Sequence, residues 1–180
     1  SRTAYIYSVD NLISSDLAKN KTTKHLDIAI GTGRRAIRIR ELSGLNYEIV
    51  GVEISEEMCK IANSRGLRTY HQDWANNDSH TGEMFESATF LYAFGHIADK
   101  KNRAKSLKKI NSYLKEGSPF YIDLFSLNNN NEWGPLTLKA FQENNLGKYG
   151  YEKGDVFYKK RGFSAVSYTH LRAHETLDNL

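Results

Sequence analysis

Cysteine and long apolar runs are scarce in this chain. One cysteine, Cys59, stands among 180 residues. It cannot form an internal disulfide and has no metal-ligand spacing around it, so no metal is expected and a reducing compartment suits it. No stretch approaches the roughly 20 apolar residues that cross a bilayer. The start shows no basic-then-apolar leader, and a cytoplasmic location is the expectation. Charge of one sign is also modest, at a net +4. Arg34, Arg35, Arg38 and Arg40, and the lysines and Arg103 from Lys100 to Lys109, form basic clusters. No aromatics interleave with them, so they read as solvated helix faces rather than a nucleic-acid surface. The length suits one domain with a sizeable core and is too short for two ordinary ones.

What is present is an alternation of strands and helices. Asp10 to Lys19 has helical spacing with Asp10 as its N-cap. Leu26 to Ile30 reads as a buried parallel strand, Arg34 to Leu42 as a helix ended by Gly44, and Glu48 to Ile54 as a β-branched strand. Ser55 caps a helix to about Arg65, with Glu56 and Glu57 in its first turn. Leu67 to His71, Ala88 to Phe94 and Phe120 to Phe125 are further strands, and Asn102 to Leu114 is a basic amphipathic helix. The order predicts an α/β protein, a Rossmann-like parallel sheet flanked by helices. Residues 1–125 form this core. After the asparagine run Asn128 to Asn131, residues 126–164 break the alternation and read as an inserted cap or lid, with a helix near Leu136 to Asn144 and a strand from Asp155 to Lys160.

The last stretch is of another kind. Val166-Ser-Tyr-Thr-His-Leu-Arg-Ala-His-Glu-Thr176 resembles the in-frame translation of a transposase-type sequencing adapter. Residues 165–180 are therefore expected to be non-native, the chain a fragment, and a C-terminal helix and strand hairpin truncated. Such segments are set aside in fold reasoning.

Chemistry concentrates in His25-Leu-Asp-Ile-Ala-Ile-Gly-Thr-Gly-Arg34. A strand that feeds a helix through glycines lets a ligand approach the backbone, and the helix start offers free N–H groups. Glu53 ends the next strand about 20 residues on, where a carboxylate can accept from ribose hydroxyls. Asp73 ends the third strand, beside Trp74, whose ring could stack on a base. The glycine turn alone also fits a dinucleotide fingerprint, so an NAD(P)-dependent oxidoreductase is the alternative, and a sheet domain that binds nothing is a further one.

The run Leu26 to Arg34 resembles the first motif of the class I S-adenosylmethionine-dependent methyltransferases. The charged Asp27, four residues before Gly31, favours that family over the dinucleotide enzymes. The resemblance covers roughly residues 10 to 125. It implies S-adenosyl-L-methionine as cofactor, held by Asp27, Ala29, Gly31, Thr32, Gly33, Glu53, Ile54, Asp73, Trp74 and Ala93. It implies methyl transfer by in-line displacement. Two positions depart from the pattern: Ala29 stands where the first glycine is usual, and Ser87 where an acid is often found.

The acceptor is less legible. The Asn/Asp-Pro-Pro-aromatic signature of amine methylation on nucleic-acid bases is absent after the fourth strand, where Ala93-Phe-Gly-His96 stands instead. Cys59 is in the wrong place for a cytosine nucleophile. A small-molecule acceptor is expected, with tRNA or protein as the alternative. Phe94, His96 and Trp133 are the candidate substrate contacts, and His96 is the candidate base, set against a turn-closing role. Tyr5 and Tyr7 could close over the cofactor or simply pack.

Overall fold

In the computed structural model, a five-stranded parallel sheet runs in the order β3-β2-β1-β4-β5. The structure describes residues 2–77, 82–97, 100–124, 139, 141–149, 156–160 and 163–167. The elements are α1 (Arg2–Lys19), β1 (Lys24–Ile28), α2 (Arg34–Ser43), β2 (Glu48–Glu53), α3 (Glu56–Ser64), β3 (Arg68–His71), β4 (Ser87–Phe90), α4 (Lys100–Tyr113) and β5 (Phe120–Ile122). Beyond them, β6 (Val156–Lys160) and β7 (Phe163–Ser167) pair antiparallel. The chain divides into two compact units, Ser1–Leu91 with Lys109–Ile122, and Tyr92–Lys108 with Asp123–Leu180. The whole parallel sheet belongs to the first. Among the described residues, no helix is long and apolar enough to cross a membrane.

The strand order puts β1 at the centre, hydrogen-bonded to β2 on one side and β4 on the other. Both faces of β1 are covered, as parallel sheets require. One face carries Leu26, Ile28, Val50, Val52, Ala88 and Phe90, all buried. The other is mixed. Ile13, Leu17, Ala36, Ile39, Tyr47 and Ile49 form its apolar cluster, but His25, Asp27, Ser87 and Thr89 are buried on that face too. Successive side chains of a strand point to opposite faces, so His25-x-Asp27 and Ser87-x-Thr89 lie side by side in register.

Local signals place the helix ends. Gly44 takes φ +68 and its N–H returns to Glu41 O, closing α2. The Ser55 side chain accepts from Met58 N, with Glu56 and Glu57 in the first turn of α3.

Four expectations need correction. The first helix starts eight residues earlier than expected, so Asp10 is not its cap. It is fully buried and accepts from Arg35 Nε at 2.7 Å and Arg38 Nε at 2.7 Å, with a second bond from Arg38 Nη2. The arginines of α2 are accordingly not all solvated: two reach α1, and Arg40 donates to Tyr47 O. A buried carboxylate needs such partners, and a helical pattern of apolar residues does not reveal them. The first strand ends at Ile28, because Ala29 turns the backbone at φ +59. The fourth strand ends at Phe90. Tyr92 adopts φ +57 and gives its N–H to Asp123 Oδ1 at 2.5 Å, and Phe94–His96 form a 3₁₀ turn. Of the expected helix in the lid segment, Lys139 and residues 141–143 are described as helical, with a Lys139–Glu143 ion pair. Phe125 and Asp155 lie outside the described residues, as does the tail from residue 168.

Candidate active site

The turn between β1 and α2 is built from positive-φ residues: Ala29 (+59), Gly31 (+59) and Gly33 (+76). Gly33 is the N-cap of α2. A Cβ on it would lie 2.2 Å from Leu67 Cδ1, so the left-handed angle favours glycine and any larger residue would displace the buried Leu67 side chain. Gly31 is different. Among the described residues, a Cβ there would meet only Met58 Sδ, at 3.9 Å, so its surroundings are open. Opposite the turn, Gly51 of β2 leaves the volume that the Ile30 side chain fills.

Glu53 closes the site from β2. Its Oε2 accepts the N–H of Gly31 at 2.8 Å and its Oε1 the N–H of Ser55 at 2.9 Å. One carboxylate thus ties the glycine turn to the start of α3. Two charge-assisted bonds to backbone N–H groups fix its orientation while lone pairs on both oxygens stay available. Next to it, Ile54 is 63% exposed and Met58 43% exposed, a small apolar surface beside the carboxylate.

Asp27 lies at the base of the turn, buried on β1, and accepts from Thr89 Oγ1 at 2.8 Å. Burial pushes its carboxyl up to about 7, against the Thr89 hydrogen bond and the nearby Arg35. Asp73 follows β3 and folds into a turn of its own. Its Oδ1 accepts from Ala75 N and Asn76 N, and its Oδ2 from Asn76 Nδ2.

Some expected residues take other roles. Trp74 is buried, its ring 5.3 Å from that of Tyr113 and with Lys109 Nζ 4.2 Å from its centroid. It packs the core instead of presenting a face for stacking. Thr32 keeps its place in the glycine turn and also offers its carbonyl to Arg65 Nη1. Ala93, Phe94 and His96 belong to the second unit. There Phe94 is 1% exposed, so its ring is not available as a substrate contact, whereas His96 is exposed. Trp133 lies outside the described residues. Tyr7 stacks under the Arg38 guanidinium, 5.1 Å from its ring centroid, and Tyr5 is half-exposed.

Residues 26–117, which contain the turn, Glu53, Asp73 and the strands that hold them, match the family described as methyltransferase domain. The chain belongs to this family. A glycine/sarcosine N-methyltransferase of Halorhodospira halochloris is 30% identical over 116 residues, 60% of this chain and 42% of that protein. The methyltransferase domain here thus spans less than half the length of that curated relative. The same Rossmann-like fold occurs in an S-adenosylmethionine-dependent methyltransferase from Methanosarcina mazei. There the TM-score is 0.60 at 21% identity, covering 81% of this chain and 73% of that one. An amino pentose methyltransferase from Micromonospora echinaspora, solved with S-adenosylmethionine bound, gives 0.55 at 19% identity, covering 70% and 52%.

One group of residues follows no motif. His25, Ser87 and Thr89 join Asp27 in a single buried hydrogen-bonded line. The available signal was the period-two spacing of polar residues on two strands otherwise expected to be apolar on both faces.

Proposed function

We propose that this methyltransferase domain binds S-adenosyl-L-methionine and transfers its methyl group to a small-molecule acceptor. The observation that carries the reading is Glu53, fixed by Gly31 N and Ser55 N beside an open glycine turn. The residues fit that cofactor. Glu53 keeps lone pairs for ribose hydroxyls, Ile54 and Met58 offer exposed apolar surface for a base, and Gly31 leaves room for close approach. The Asp73 carboxylate, already oriented by its turn, suits an exocyclic amine. Once ionised, above about pH 7, Asp27 supplies negative charge at the foot of the turn, which favours a cationic ligand over a pyrophosphate.

When bound, the cofactor supplies an electrophilic methyl group on a sulfonium. The domain's part is to orient the donor through Glu53 and the turn, which lowers the entropic cost of an in-line approach. His96, exposed on its 3₁₀ turn, is the candidate to contact the acceptor or take its proton. The acceptor reading follows from the missing base-methylation signature at Ala93 to His96. The relatives add support: the Halorhodospira protein is named for glycine and sarcosine, and the Micromonospora enzyme for an amino pentose.

Calorimetric titration of the full chain with S-adenosylmethionine, S-adenosylhomocysteine and NAD(P) tests the cofactor. Binding of the first two and none of the last is expected. The reverse result would overturn the reading. For His96, turnover of His96→Asn unchanged at saturating acceptor would remove its role as base.

A further inference from the structure

Four buried side chains of β1 and β4 form one line. Ser87 Oγ is 2.7 Å from His25 Nδ1, His25 Nε2 is 2.9 Å from Thr89 Oγ1, and Thr89 Oγ1 is 2.8 Å from Asp27 Oδ1. Ser87, Thr89 and His25 are each 3% exposed or less, and Asp27 is 8% exposed. The line is closed off from bulk solvent, and its three contacts join the four groups to one another.

Their donor inventory permits two arrangements. A hydroxyl has one proton and a neutral imidazole has one N–H. When Asp27 is a carboxylate, Thr89 donates to it, so Thr89 must accept from His25 Nε2–H, and Nδ1 must accept from Ser87. When Asp27 carries a proton on Oδ1, every bond reverses. The acid donates to Thr89, Thr89 donates to Nε2, and Nδ1–H donates to Ser87. With the proton on Oδ1 the mixed cases leave a gap with no proton or with two; a proton on Oδ2 would leave every bond as in the carboxylate state, so the line reverses only when Oδ1, the oxygen facing Thr89, is the one protonated. Between the two states one proton is taken up from solvent and the imidazole proton moves from Nε2 to Nδ1. The only charge lost is that of Asp27.

We propose that Thr89 and His25 are positioning residues for Asp27, forming a reversible chain in which the His25 tautomer and the Asp27 charge change together. The consequence for ligand binding rests on the methyl-donor reading above. The chain holds Asp27 as an aimed acceptor at the foot of the glycine turn, and its reversal withdraws the negative charge offered to a cationic ligand. Asp27 is also faced by Arg35 from α2, by Glu53 from β2 and by Tyr47 ahead of β2. The first favours its charge and the second opposes it. Burial pushes Asp27 up to about 7 and His25 down to about 3, so near neutrality Asp27 titrates while His25 stays neutral. That is the condition under which a tautomer, rather than an imidazolium, responds.

The experiment is a long-range proton–nitrogen correlation of the histidines, with carboxyl carbon shifts, in the ¹³C,¹⁵N-labelled full chain from pH 5.5 to 8.5. His25 is assigned by its loss in His25→Gln. An Nε2–H pattern at high pH that passes to Nδ1–H at low pH is expected, with the midpoint of the Asp27 carboxyl carbon shift. Thr89→Val should abolish the tautomer change and raise that midpoint, and Thr89→Ser should restore both. A tautomer that ignores pH in the wild type, or a midpoint that Thr89→Val leaves in place, overturns the proposal. S-adenosylmethionine affinity of the wild type should fall up to tenfold per pH unit below the midpoint. Absence of binding at every pH would instead remove the methyl-donor reading, while the histidine spectra still judge the chain.

Discussion

Glu53 Oε2 accepts the backbone N–H of Gly31 at 2.8 Å, joining the end of β2 to the glycine turn after β1. Its other oxygen holds Ser55 N at 2.9 Å, so one side chain organises two loops at neighbouring strand ends. Glu53→Ala should leave both N–H groups without their acceptor and remove the proposed ribose partner. Hydrogen bonds to a charged group contribute about 1.5–3 kcal/mol, so methyl-donor affinity should fall at least tenfold by calorimetry. Glu53→Gln is no rescue. Its amide has a single acceptor oxygen and would turn an NH₂ toward one of the two donors. An affinity in Glu53→Gln equal to wild type would refute this account of the site.

Gly33 makes a sharper steric prediction. It holds φ +76 and the volume of a Cβ is already taken by Leu67 Cδ1. Gly33→Ala should cost about 2 kcal/mol from left-handed strain and overpacking, read as a lower denaturation midpoint. Gly31→Ala suffers the same strain but, among the described residues, meets only Met58 Sδ at 3.9 Å. It should therefore be the milder change in stability, with its effect falling on ligand approach.

These two glycines show what a single sequence discloses. Strand, glycine turn, helix and the acids Asp27, Glu53 and Asp73 were legible because each obeys a local rule of spacing or capping. The role of Asp10 was not, because its partners Arg35 and Arg38 are 25 and 28 residues away and nothing local marks them. Trp74 looked like a stacking surface since an aromatic after an acid is ambiguous. Only the positions of Tyr113 and Lys109 decide that it packs inward. The early stop of β4 depends likewise on Asp123, 31 residues beyond Tyr92.

The Asp10 cluster is itself testable. Its carboxylate is fully buried and faces two guanidinium groups. Asp10→Asn keeps the shape but removes the charge, leaving two arginines beside a neutral amide. Removing one partner from a buried ionic group costs about 3–5 kcal/mol, and the packing of α1 on α2 should loosen accordingly. Thermal melts and hydrogen exchange of the α1 amides report both effects. Added salt should weaken the cluster modestly and mainly through Arg38, whose side chain is 35% exposed against 20% for Arg35.

The line from Ser87 to Asp27 predicts an unusual response to pH. Asp27 is raised in the folded state from 3.8 to about 7. The stability it contributes is full below pH 3.8 and is lost as pH rises through about 7. His25 is lowered from 6.5 to about 3. Its contribution is full above pH 6.5 and is lost as pH falls toward about 3. Each displacement corresponds to something on the order of 4 kcal/mol, and the two slopes oppose each other between about pH 4.5 and 6.5. Wild-type stability, from urea midpoints, should therefore be nearly level across that window. Asp27→Asn leaves the histidine slope alone and should lose stability on acidification. His25→Gln leaves the carboxyl slope alone and should gain it. Parallel pH profiles for the two variants would contradict the assignment, because only opposite slopes follow from an acid kept protonated and an imidazole kept neutral in the same buried line.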